Sequence, residues 1–338
     1  MAPRAFITGL SGFTLTADER AFLGEACPWG LILFKRNIQD KAQVADLVRE
    51  ARGVLGAEAP VLVDQEGGRV QRLGPPNWPA YPPGAAYGRV YDRDPPTGLA
   101  AARLGARLIA ADLIELGITV DCLPLADVPA SGADQVIGDR AYGETPDKVA
   151  AIAGAVAEGL AEGGVLAVLK HIPGHGRANA DSHEKLPVVH ADRATLEASD
   201  FAAFRPLKKL PLAMTAHVVF AAFDSVHPAT TSATMIGEVI RGFIGFDGLL
   251  MTDDVSMGAL SGSIGERTRA AIAAGCDMVL HCNGKLDEMR AVAEAAPELT
   301  GDAAKRAAAA LAVRKSPSAI DLGAARREFA AMMTSGTA

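Results

Sequence analysis

Eight short apolar runs, each closed by Gly, Pro or a polar residue and each followed by a helix-like stretch, constrain this chain more than any other feature. They cover residues 5–8, 30–34, 60–64, 119–123, 165–170, 212–217, 249–253 and 278–282. Near-continuous apolar runs of this length mark strands buried on both faces of a parallel sheet. Amphipathic, Ala-rich segments at 40–54, 98–116, 146–162, 193–204, 231–241 and 265–274 lie between them, with a last helix over 302–313. Eight such units predict an α/β chain with one closed (β/α)8 TIM barrel, one irregular strand or helix being allowed. The barrel domain is read as 1–315. Residues 316–338 read as a polar, Ala-rich tail that either packs outside the barrel or frays. A proline-rich loop, 75–96, is too long and rigid for a plain connector and is expected to shape one wall of the barrel mouth.

Composition narrows the possible partners. The 33 Lys and Arg against 40 Asp and Glu give a net charge of −7, with no basic run, so neither nucleic acid nor an anionic membrane has an electrostatic footprint to grip. No apolar stretch reaches the roughly 18 residues of a membrane span, and the N-terminus lacks a secretory pattern. Four cysteines are too sparse for a disulfide framework. The expectation is reduced thiols in a cytoplasmic protein.

Active sites of such barrels gather at the C-terminal ends of the strands. Polar residues do collect where the apolar runs stop: Asp64 to Arg72, Asp121, Lys170 with His171, His217, Asp253 with Asp254, and His281. Three segments carry chemistry. In the first, Lys170-His171-Ile172-Pro173-Gly174-His175-Gly176 is followed by Asp181-Ser182-His183. One reading takes His171, His175, His183 and Asp181 as metal ligands, but neither HxH nor HExxH spacing occurs. Another pairs Asp181 with His183, the carboxylate fixing the imidazole tautomer for acid/base work. An Asp–His loop staple would look the same.

In the second segment, Thr252-Asp253-Asp254-Val255-Ser256-Met257, an apolar strand ends in two acids. Alternation allows only one of them to face the barrel axis while the strand lasts, leaving the other to cap the turn. A carboxylate there, opposite an acid/base partner, suits covalent displacement at an anomeric carbon. In the third, Asp64-Gln65-Glu66-Gly67-Gly68-Arg69-Val70-Gln71-Arg72, Asp64 can accept from two hydroxyls and Arg72 adds a fork of donors, as polyol binding requires.

Together and in this order, the three segments resemble family-3 glycoside hydrolases, specifically the bacterial β-N-acetylglucosaminidases of peptidoglycan recycling. Ile172 stands where phenylalanine is common. The resemblance implies a single-domain barrel with no metal and no cofactor. It also implies retaining hydrolysis of terminal β-linked N-acetylglucosamine, from a saccharide or muropeptide; the oligomeric state is left open by the sequence, with a monomer favoured. The resemblance assigns Asp253 as nucleophile, His183 as acid/base and Asp181 as its orienting partner. Asp64, Arg72, Arg140, Lys170 and His171 match the sugar-binding positions. Two other readings stay open: a metal-dependent barrel hydrolase using the histidines, and a sugar-binding module without catalysis.

Overall fold

A computed structural model of the chain describes residues 2–182 and 184–334. Eight parallel strands close into a barrel: β1 Arg4–Gly9, β2 Pro28–Leu33, β3 Val61–Val63, β4 Val120–Asp121, β5 Leu166–Ile172, β6 Leu212–Thr215, β7 Leu249–Asp254 and β8 Met278–His281. Each strand pairs with its neighbours in sequence order, and β1 closes the ring against β8.

Period-two alternation sorts the strand side chains into two separate apolar clusters. Ile7, Ile32, Leu62, Val168, Met214, Met251 and Leu280 fill the barrel interior. Phe6, Leu31, Leu33, Val63, Leu169, Leu250 and Val279 face the helices. The alternation also positions the site, because two residues beyond Leu62, Val168 and Met251 come Asp64, Lys170 and Asp253 on the inward face.

Three strands interrupt the pattern: β1, which steps against β2 from Arg4↔Pro28 to Ile7↔Gly30, and two beside the site. Against β8, the register of β7 steps from Met251↔Met278 to Asp254↔Leu280, one extra residue on β7. Against β6, β5 steps from Leu169↔Ala213 to Ile172↔Thr215, again one extra. Such bulges re-aim side chains beside active sites. At the bulge in β7, the Thr252 hydroxyl accepts the Leu280 N–H at 2.9 Å and replaces a ladder carbonyl.

The helices start where local chemistry dictates. Thr16 and Glu19 form a reciprocal capping box on Ala17–Ala26, and Pro146 occupies the first turn of Pro146–Glu162. The helix after β6, Met235–Ile244, is wound in the wider i→i+5 form and ends at Gly245 in the left-handed region. The stretch expected at 193–204 is divided, a helix over Arg193–Ala198 being followed by a 3₁₀ segment over Ala202–Leu207.

The proline-rich loop corrects its expectation. It contains a helix, Gly84–Arg93, Pro95 opens the helix Pro95–Ile114, and none of residues 75–96 lines the cavity at the barrel mouth. Beyond residue 315 the chain forms the helix Leu322–Thr334, whose Phe329 ring packs 6.2 Å from that of Tyr87.

Candidate active site

The strand ends surround a cavity of about 250 Å³. Its lining brings together Asp64, Arg72, Arg140, Lys170, His171, Asp181 and Asp253 from segments up to 189 residues apart in sequence. His183 lies outside the described residues.

One ammonium organises the first wall. Lys170, 2% exposed, donates through Nζ to Asp64 Oδ1 at 3.0 Å and reaches Glu66 Oε1 at 2.7 Å. Arg140, from the 3₁₀ turn Gly138–Arg140, grips Glu66 with Nε and Nη2 at 2.8 and 2.7 Å, while Arg72 Nη2 donates to Asp64 Oδ2 at 2.8 Å. Burial would raise the carboxyls of Asp64 and Glu66, but Lys170, with Arg72 beside one and Arg140 beside the other, outweighs it and holds both below the usual range. The same pairing overcomes the burial of Lys170 and raises its ammonium. Behind them, burial reinforced by the charges of Asp64 and Glu66 pushes the Asp121 carboxyl well up.

A further carboxylate, Asp127, sets His171 and His175. Its Oδ2 lies 2.7 Å from His171 Nδ1, and its Oδ1 accepts the main-chain N–H of His175 at 2.6 Å. The carboxylate makes Nδ1 of His171 a donor and leaves Nε2 for other partners. His175 Nε2 meets the Ser182 hydroxyl at 3.0 Å, and the Ser182 carbonyl accepts the Ala259 N–H at 3.1 Å from the loop after β7. Ser182, next to Asp181, thus joins two loops over the cavity. These contacts occupy one ring nitrogen each of His171 and His175, and among the described residues no three His, Cys, Asp or Glu are grouped to hold a metal ion.

The bulge in β7 revises the alternation argument, since both Asp253 and Asp254 line the cavity. They still differ in employment. Asp254 closes the turn, its Oδ1 accepting Ser256 and Cys282 N–H groups at 2.9 and 3.1 Å and its Oδ2 the Ser256 hydroxyl at 2.6 Å. Asp253 Oδ1 accepts the Asp254 N–H at 2.8 Å.

Glu66 and Asp127 are absent from the expected site residues. Glu66 could have been found as a second acid immediately before the Gly-Gly turn, and Asp127 as the lone charge inside the apolar stretch 122–130.

Comparison with known proteins agrees with this geometry. Residues 11–313 match the N-terminal domain of glycosyl hydrolase family 3. A beta-hexosaminidase of Alkalilimnicola ehrlichii is 40% identical over 279 residues, 81% of this chain and 79% of its own. One of Bordetella avium is 37% identical over 287 residues, 84% and 81% of the two chains. NagZ from Neisseria gonorrhoeae, solved in complex with N-trifluoroacetyl-D-glucosamine, superposes with a TM-score of 0.86 at 30% identity over 99% of this chain and 98% of that one. A family 3 beta-N-acetylglucosaminidase from Paenibacillus gives a TM-score of 0.85 at 29% identity, over 97% of this chain and 66% of that longer one.

Proposed function

The chain belongs to glycosyl hydrolase family 3 and is a β-N-acetylhexosaminidase, and we propose that it releases terminal non-reducing β-linked N-acetylglucosamine with retention of configuration. The observation that carries this reading is one small cavity holding Asp253 opposite the Asp64, Arg72, Lys170 and Arg140 cluster. At about 250 Å³ it falls just below the roughly 300–1,000 Å³ of sites for drug-sized ligands, a volume for one sugar unit.

In the proposed reaction Asp253 attacks the anomeric carbon while protonated His183, oriented by Asp181, gives its proton to the leaving oxygen. A glycosyl–Asp253 ester forms and the glycosidic bond breaks. Neutral His183 then takes a proton from water, which displaces Asp253 and restores the carboxylate. An imidazole thus replaces the second carboxyl of most retaining glycosidases. Asp64 accepts from sugar hydroxyls, and Arg72, Arg140, Lys170 and His171 donate or shape the site around them. The paired charges keep Asp64 a carboxylate and Lys170 an ammonium through the cycle.

We assign the natural substrate to muropeptide fragments in cytoplasmic peptidoglycan recycling, and the active unit to the monomer. Release of N-acetylglucosamine from purified muropeptides tests the substrate. For the acid/base, His183→Ala should slow an aryl glycoside with a poor leaving group far more than one with a good leaving group. Equal losses would exclude general-acid catalysis by His183.

A further inference from the structure

The last helix, Leu322–Thr334, reaches the cavity through a continuous set of contacts. Arg326 Nη2 donates to Asp112 Oδ1 at 2.8 Å and Nη1 to the Tyr81 hydroxyl at 3.3 Å. That hydroxyl donates to Asp112 Oδ2 at 2.6 Å. Tyr81 and Asp112 are each 5% exposed and the Arg326 side chain 35%, so the Tyr81–Asp112 end of this knot is shielded from water and loss of a partner there is not made good by solvent.

The main chain of Tyr81 faces the other way, onto the hairpin of Gln65–Gly67 and Val70–Gln71. Its carbonyl accepts the Gly68 N–H at 2.8 Å and its N–H donates to Gln71 Oε1 at 2.9 Å. Gly67 and Gly68 have φ of 94° and 58°, and Cβ atoms there would lie 2.3 Å from the Pro82 carbonyl oxygen and 2.6 Å from Pro83 Cβ. The tip of the hairpin therefore rests directly on residues 81–83, and only glycine lets it come so close. The hairpin and its flanks supply Asp64, Glu66, Arg69, Val70 and Arg72 to the cavity lining.

We infer that the C-terminal helix is a strut for the sugar-binding wall, with Arg326 and Tyr81 as positioning residues for Asp64 and Arg72. This rests on the reading above that Asp64 and Arg72 hold the sugar. The helix has a second attachment that bypasses Tyr81, the packing of Phe329 on Tyr87, and it separates positioning through the Arg326–Tyr81 contact from general stabilisation by the helix.

The test uses the full chain with Arg326→Ala, Arg326→Lys, Tyr81→Phe and Phe329→Ala, reading thermal midpoint, KM and kcat on an aryl β-N-acetylglucosaminide. Arg326→Ala and Tyr81→Phe should raise KM about three- to tenfold, as expected for loss of one or two buried hydrogen bonds, with kcat nearly unchanged. Arg326→Lys should recover part of the KM. Phe329→Ala should lower the midpoint without moving KM. Should Arg326→Ala fail to fold, Tyr81→Phe, which removes a single hydroxyl, decides alone. An equal KM rise in Phe329→Ala, or an unchanged KM in Tyr81→Phe, overturns the strut. Arg72→Ala separates the two levels: if it leaves KM unchanged, the sugar-binding reading fails. If it raises KM while Tyr81→Phe does not, only the strut fails.

Discussion

His217 Nε2 lies 3.0 Å from the main-chain carbonyl of Asp254. A carbonyl can only accept, so Nε2 carries the hydrogen, and Nδ1 accepts from the Thr230 hydroxyl at 2.6 Å. Burial lowers the His217 pKa and keeps this neutral tautomer in place. The contact pins the end of β7 at the residue after Asp253, so the proposed nucleophile is carried on a fixed backbone.

The two neighbouring acids should separate cleanly by experiment. Asp254→Ala strips acceptors from three donors and should cost about 2–4 kcal/mol in chemical denaturation. Asp253→Ala should cost less stability yet abolish turnover. Equal denaturation midpoints would contradict the division of labour between them.

Lys170→Met should be among the most damaging substitutions outside the apolar core. It leaves Asp64 and Glu66 buried beside one another without their shared ammonium, an imbalance of about 3–5 kcal/mol. Both denaturation midpoint and sugar binding should fall. Because the pair is shielded, added salt should restore neither. A variant as stable as the parent would show that the ammonium is dispensable.

Acid stability follows from His175. Burial first, and then the neighbouring His171, pushes its pKa down to about 4 from an ordinary 6.5. Between those values the unfolded chain binds a proton that the folded ring refuses, so stability falls as pH drops through this window, by up to about 1.4 kcal/mol per pH unit. Above pH 6.5 both states are neutral and the contribution is flat. His217 acts in the same sense. Denaturation of His175→Gln at several pH values between 4.5 and 6.5 should give a shallower slope than the parent. Parallel slopes would show that His175 is not the titrating group.

The barrel was legible because apolar runs at β1 to β8 need only be counted, and inward alternation carries Asp64, Lys170 and Asp253 to one mouth. What escaped was long-range or irregular. Nothing local marks the bulges that turn both His171 and Asp254 toward the cavity, since a bulge is a property of two strands in register. Asp127 stands out as a lone charge, but its pairing with His171 and His175, 44 and 48 residues on, does not. The role of Tyr81 was equally hidden. Its loop reads as a wall of the mouth, yet it supports that wall from behind, through main-chain groups that every residue type but proline possesses.

The proposed mechanism turns on covalent glycosylation of Asp253. Trapping the protein with a slow-turnover glycoside and sequencing the modified peptide by mass spectrometry tests it most directly. A mass increase of one glycosyl unit is expected on Asp253 and is absent from Asp253→Ala. A label on Asp254, or turnover with retained configuration and no covalent species trapped, would contradict it.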